Sequence, residues 1–259
     1  MTIDQGVSNT LESEGFAVIP GVLTTSEVTA AREALVRLAR ENERAGTPTH
    51  VPALDPNAAN IRVFNLIDGD PVFRDLIMHP EAIALVSHVL SEHFLISNFT
   101  ANIARPGSGS MPVHSDQAIV VPEPWLAPWS MNIIWCLDDV HEANGATRYL
   151  PGSHRITRLD ELPDELAARM KSFEAAAGDI IAMDGRLWHT SGENRTTEEE
   201  RALLFGYYSA DFLRPQTNWN ASLSPATINT VDSALHARLG LGAAANLRQG
   251  GIIFNEVNP

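Results

Sequence analysis

A mainly β fold, an antiparallel double sheet with flanking helices, is the architecture that this sequence predicts, and three observations lead to it. From residue 94 onward the chain breaks into short apolar runs punctuated by Gly, Pro, Asn and Asp: FLISNFTANIA, MPVHSDQAIVV, SMNIIWCLDD, ATRYLPGSH, GDIIAMDG and RALLFGYYSA. Short apolar runs with frequent turns are the pattern of a β-sandwich or barrel. Two amphipathic stretches precede them, and no fixed-period repeat or low-complexity tract interrupts the chain, which excludes solenoids and propellers. The 259 residues, 44% hydrophobic and 19% charged, suit a sizeable folded core rather than disorder.

Residues 15–23 (GFAVIPGVL) predict a short strand and turn, and Thr24 with Glu27 has the spacing of a capping box, so a helix should follow. Val28, Ala31, Leu35, Leu38 and Ala39 recur on one helical face while Arg32, Glu33, Arg37 and Arg40 take the other. Residues 46–60, with three prolines and no periodicity, form a loop, and residues 80–94 form a second amphipathic helix. Residues 160–173 read as a charged helical insertion between strands, and residues 226–239 as one further helix before a glycine-rich tail. The expected organisation is a single domain over 1–259, with a helical part at about 24–93, a β core at about 94–214 and a C-terminal extension at about 215–259. Residues 218–242 either cover that core or pair with a neighbour, which leaves a homodimer open.

Charge narrows the partners. With 18 basic against 32 acidic residues, a net charge of -14 and Lys171 as the one lysine, neither nucleic acid nor an anionic membrane is expected as the main partner. Cys136 stands alone, so no intramolecular disulfide forms and a reducing compartment is expected. The first nine residues carry Asp4 and no basic residue, unlike a signal peptide, and no run approaches the roughly 20 apolar residues of a membrane span. The expectation is a cytoplasmic, soluble protein acting on a small molecule.

The chemistry concentrates in three segments. His114 and Asp116 stand at i and i+2 of a strand-like run, so their side chains share one face. His189, in the segment GRLWH, supplies a third donor from another strand. Two histidines and a carboxylate cap one face of an octahedral ion and leave three positions for a bidentate ligand and dioxygen, the donor set of non-haem Fe(II) oxygenases. Arg201 opens the run RALLFGYY, where alternation places it with Leu203, Phe205 and Tyr207. A guanidinium there can grip a carboxylate bidentately, as the distal end of 2-oxoglutarate requires. The competing assignments are a surface pairing of Arg201 with Glu198, Glu199 or Glu200, and Arg195 as the anchor instead, although Arg195 falls in a turn.

With these residues in place, the sequence resembles the phytanoyl-CoA dioxygenase-like family of Fe(II)/2-oxoglutarate oxygenases from residue 15 almost to residue 242. Residues 144–154 (NGATRYLPGSH) resemble its NGAxxxxPGSH signature behind an LDD at 137–139, and GDII at 178–181 with GRLWH at 185–189 resembles its distal-histidine region. The resemblance implies a double-stranded β-helix, or jelly-roll, core. It also implies Fe(II) at His114, Asp116 and His189, and 2-oxoglutarate held by Arg201 with help from Thr147, with dioxygen as oxidant. One position departs: relatives often carry glutamine three residues before the first ligand, and here it is Met111. Asp116 sets the chain apart from related halogenases, which replace that carboxylate with Ala or Gly.

Residues 62–66 (RVFNL) resemble an RVxNL stretch of relatives that tailor alkaloids and terpenoids. They make Val63, Phe64 and Leu66, with Trp125, Trp129 and Trp135, the candidate walls of a pocket for a largely apolar small molecule, each also readable as ordinary core. Asp138, Asp139, His141 and Glu142 imitate a second metal site but read better as a solvated turn, and His154 reads as a structural brace. Two other functions use the same residues: a zinc-dependent hydrolase on the same triad, and a catalytically silent jelly-roll binding protein.

Overall fold

The computed structural model describes residues 3–242 together with the backbone of 248–249 and 252–253; the rest of the glycine-rich tail lies outside the described residues. In chain order, helix α1 (Gln5–Glu14) leads into strand β1 (Phe16–Ile19), followed by α2 (Thr25–Arg44) and β2 (Asn60–Val63). Next come α3 (Leu66–Gly69), α4 (Pro71–Ile77), α5 (Pro80–Leu90) and the long strands β3 (Phe94–Ala104) and β4 (Ser130–Cys136). Strands β5 (Arg148–Tyr149), β6 (Lys171–Ser172), β7 (Ile180–Asp184), β8 (His189–Thr190) and β9 (Arg201–Ala210) complete two sheets. The larger is antiparallel in the order β1-β7-β4-β9-β3-β2, and the smaller has the order β6-β5-β8. Together they form the jelly-roll core with its flanking helices.

The large sheet has two different faces because side chains alternate along each strand. Met131, Ile133 and Trp135 of β4, with Ala202, Leu204 and Tyr208 of β9, pack against Leu35, Phe73, Ile77 and Leu85 of the helical layer. Ile134, Cys136, Ile181, Met183 and Leu203 project the other way, toward the smaller sheet. The capping box forms as the spacing predicts: Thr24 accepts from the Glu27 amide while the Glu27 carboxylate accepts from the Thr24 amide. Gly15 adopts φ +80° between α1 and β1, and a Cβ there would lie 2.5 Å from the His154 ring. His154 is buried and its Nε2 meets the Glu12 carbonyl at 3.2 Å, so it braces this corner.

Several expectations change. The strand predicted within residues 15–23 forms as β1, one edge of the large sheet, whereas the other edge strand, β2, comes from within the part expected to be helical, residues 24–93. Residues 160–173 hold one short 3-10 turn, Leu159–Glu161, and one α-turn, α6 (Leu166–Arg169), and they end as β6, because Lys171 and Ser172 pair with β5. Residues 226–239 split into two helices beside α7 (Trp219–Ser222): α8 (Pro225–Ile228) and α9 (Ser233–Arg238), since Asp232 caps a new start by accepting from the Leu235 amide. Trp219, Leu223, Leu235 and Leu239 of this region are buried in the main core, so it covers its own domain face. Helix α1, capped by Asp4, was not anticipated from the sequence.

The candidate pocket walls are largely core. Val63 and Leu66 are fully buried under the helices, and so is Trp135, whose ring meets His79 edge-on at 5.6 Å. Trp125 packs with Leu150 and Trp188 and donates to the Val120 carbonyl. Trp129 stacks edge-on against Phe212, and Phe64 is 42% exposed. Position 135 has the same parity as Met131 and Ile133, which is why it faces the helices. Trp135→Ala should therefore cost about 3–5 kcal/mol in urea unfolding and leave the substrate KM unchanged, whereas a pocket wall would show the reverse.

Candidate active site

The site begins with a narrow antiparallel pair. His114 and His189 exchange both backbone hydrogen bonds, 2.9 and 2.8 Å, so their side chains leave on the same face and the rings lie 4.3 Å apart. The strand expected at His114 reduces to this one bridge. Asp116 opens a 3-10 turn, Asp116–Ile119, because Gln117 is completely buried: its amide donates to the Ala127 carbonyl and its carbonyl accepts from the Trp129 amide. The carboxylate still reaches the histidines. Asp116 Oδ1 is 3.9 Å from Nε2 of both, and one ligand atom from each of the three residues lies within 4.8 Å of the others. No other such cluster occurs among the described residues.

These donors suit a divalent ion. Nδ1 of His114 meets the Pro112 carbonyl and Nδ1 of His189 the Leu187 carbonyl, each at 2.9 Å, so Nδ1 carries the proton and Nε2 keeps its lone pair for a metal. Burial holds the His189 pKa below its ordinary value, with the Asp116 charge opposing and His114 adding to the effect, so the ring stays neutral. Asp116 Oδ2 accepts from Asn132, and the Asp116 carbonyl accepts from Tyr207 Oη, both at 3.1 Å.

Behind the triad a cavity of about 130 Å³ extends along the inner face of β9 and β3. Arg201, Phe205 and Tyr207 line it as alternation predicts, joined by Thr147, Asn102 and Arg62. Arg201 is 1% exposed and donates to Asn102 Oδ1 at 3.2 Å; its Nε has no partner, and it forms no ion pair among the described residues. Burial pushes its pKa down to about 10, so it keeps its charge near neutrality. Glu200 instead meets Arg32 and Arg105, and Glu199 meets His141, which removes the surface pairings considered for Arg201. The rival Arg195 is exposed and bound to Glu142.

The cavity contains residues not singled out from the sequence. Arg62, read as part of a buried motif, faces it from β2 and is neutralised by Asp55 through two hydrogen bonds of 2.8 and 2.9 Å. Met111 also lines it, its sulfur 3.5 Å from Arg62 Nη2, at the position where a glutamine was expected. Asn98, Asn132 and Gln216 complete a polar lining. Strand parity was the available signal for Arg62 and Asn132; Gln216 arrives from a loop that no pattern marks. None of Val63, Phe64, Leu66, Trp125, Trp129 or Trp135 lines the cavity. The acidic turn is structural as well: Asp138 holds Arg32 and the Ala202 amide, and Asp139 the Ala177 amide.

A jelly roll with a facial His-Asp-His donor set at one end of a cavity and a buried arginine in the same cavity has the architecture of a non-haem iron, 2-oxoglutarate-dependent oxygenase. The chain belongs to the phytanoyl-CoA dioxygenase family, whose sequence profile matches residues 11–202. It is 45% identical over 244 residues to dioxygenase af480 of Aspergillus fumigatus, covering 94% of this chain and 79% of that one. Solved structures share the fold. The carbocyclase SnoK of nogalamycin biosynthesis superposes with a TM-score of 0.68 at 22% identity, over 86% of this chain and 92% of that one. HygX of Streptomyces hygroscopicus, with nickel and 2-oxoglutarate bound, gives 0.66 at 18% identity, over 83% and 90%.

The unpaired guanidinium makes a measurable demand. Burying a charge without a counter-charge is unfavourable, so Arg201→Met should leave the ligand-free protein as stable or up to about 2 kcal/mol more stable in urea unfolding. The same variant should need about ten- to hundredfold more 2-oxoglutarate for half-saturation, while Arg195→Ala changes neither quantity.

Proposed function

We propose that this protein is an Fe(II)/2-oxoglutarate-dependent dioxygenase that oxidises, by hydroxylation in the first instance, a small natural-product-like molecule and releases succinate and CO2. One observation carries the reading: the three metal donors and the buried, unpaired Arg201 open into one cavity. His114, Asp116 and His189 hold the metal, and Arg201 takes the distal carboxylate of 2-oxoglutarate with Thr147 beside it. The bound iron supplies the oxidation of 2-oxoglutarate by dioxygen and the oxidising power delivered to a substrate C–H bond.

The residues of the chain do the rest. The Pro112 and Leu187 carbonyls fix both imidazoles with Nε2 bare, and the burial of Arg201 keeps bulk solvent from its guanidinium. Hydrolysis by a zinc ion on the same triad lacks a general base. The other titratable side chains lining the cavity are Arg62, Arg201 and Tyr207, and burial raises the Tyr207 pKa so that it stays protonated.

The cavity is smaller than the roughly 300–1,000 Å³ of a typical small-molecule site, so the substrate reaches the metal from the open side. Exposed apolar residues follow Asp116 along the chain: Ile119, 57% exposed, ends the turn that Asp116 begins, and Val121 and Leu126 follow on the same loop. This supports an apolar body with few polar contacts. The cavity beside the triad offers no basic cluster for a nucleotide, because its arginines are Arg62, already paired with Asp55, and Arg201. We place the protein in a reducing, cytoplasmic compartment, with all three segments of the chain serving this one site. Among the described residues no helix is long and apolar enough to cross a membrane.

Two measurements test the reading. Protein loaded anaerobically should bind about one Fe(II) per chain, and alanine at His114, Asp116 or His189 should each abolish substrate-dependent succinate formation; unchanged iron content and turnover in all three variants would remove the assignment. In a succinate-release screen, neutral polycyclic metabolites should be turned over and acyl-CoA thioesters should not. Productive use of the CoA esters alone would overturn the substrate class.

A further inference from the structure

Strand β4 reads Ser-Met-Asn-Ile-Ile-Trp-Cys, and every residue of it is buried. Asparagine is disfavoured in strands, and its buried amide brings donors and an acceptor that need partners. The next residues on the same face, Ile134 and Cys136, belong to an apolar cluster, so packing alone does not call for an amide at position 132. Asn132 Nδ2 donates to Asp116 Oδ2 at 3.1 Å, while its Oδ1 is buried with no partner among the described residues. That orientation follows from chemistry: an ionised carboxylate only accepts, so the amide must turn its NH2 toward it. An orphaned acceptor lowers stability, so the side chain does not serve the sheet.

The two oxygens of Asp116 are thereby divided. Oδ2 is tied to the large sheet, and Oδ1 faces Nε2 of both histidines at 3.9 Å. A second tether comes from the residue directly opposite Asn132 on β9: Tyr207 donates to the Asp116 carbonyl. Asp116 needs such tethers because it sits in a single 3-10 turn, outside the ladder that aligns His114 with His189.

We propose that Asn132 is a positioning residue for the metal centre. By holding Oδ2 it prevents the carboxylate from rotating to a bidentate or withdrawn pose and presents Oδ1 as a single ligand, which keeps the remaining positions open. The inference rests on the metal triad proposed above.

The test is a Co(II) titration of metal-free protein, read by visible absorption, in the wild type, Asn132→Leu, Asn132→Ala, Asp116→Ala and the double variant Asp116→Ala/Asn132→Leu. Both Asn132 variants should bind Co(II) about ten- to hundredfold more weakly, with an altered ligand-field spectrum and an unchanged metal-free melting temperature. In the Asp116→Ala background the Asn132→Leu change should add nothing, since its effect runs through that carboxylate. Wild-type affinity and spectrum in both single variants would overturn the proposal. So would an equal further loss on the Asp116→Ala background, or a drop in metal-free stability that accounts for the weaker binding. Should Asn132→Leu not fold, Asn132→Ala decides. Failure of the wild type to bind Co(II) would instead remove the triad.

Discussion

The strict alternation of side chains along β4 and β9 is the constraint on which the rest of the molecule depends. Two strands at the centre of one sheet must serve two interiors at once: an apolar seam under the helical layer and a polar cavity under the smaller sheet. Each strand therefore reads as two interleaved sequences. In β9, Ala202, Leu204 and Tyr208 belong to the helices, while Arg201, Phe205 and Tyr207 belong to the cavity. A slip of one residue would drive Arg201 into the helical core, so the pairing register and the chemistry are specified together.

The energetics follow from that division. The helical side gathers the largest apolar side chains and accounts for the burial that holds the fold. On the other side the structure tolerates groups that oppose folding: an unpaired guanidinium at Arg201 and an unpartnered carbonyl on Asn132. Such groups are stable only because the framework around them is rigid, and a ligand that satisfies them recovers what the empty fold gives up. By contrast, Arg62 in the same cavity carries its own counter-ion in Asp55 and asks for nothing. The cavity thus holds two arginines, of which the buried Arg201 is available to an anion.

Legibility in the sequence divided along the same physical line. Features written locally were readable: the capping box at Thr24 and Glu27, the amphipathic α2 and α5, the histidines on turn-bounded segments, and the inward parity of Arg201. Features that depend on which face meets which layer were not. Trp135 looks the same in sequence whether it lines a chamber or fills a core, and only the stacking of His79 against it decides. Asp116 was expected on a strand beside His114. Its partnership survives although the strand does not, because Gln117 buries itself against Ala127 and Trp129 and coils the chain. The split of residues 226–239 into α8 and α9 had a local signal in Asp232, a good helix cap inside a stretch read as continuous helix.

The placement of Asp116 off the ladder also separates two requirements that a metal site usually binds together. The histidines are aligned by paired backbone hydrogen bonds, a geometry as rigid as the sheet itself. The Asp116 carboxylate hangs on a short turn whose remaining residues lead, through the exposed Ile119, into the loop that carries the exposed Val121. A displacement of that loop would act on the backbone of Asp116 and leave the paired histidines in place. The hydrogen bonds from Asn132 and Tyr207 run from the large sheet to that same residue, so they oppose any such displacement. The loop and the His-Asp-His cluster are therefore neighbours along the chain but separately anchored, which lets the loop move while the three donors keep their mutual geometry.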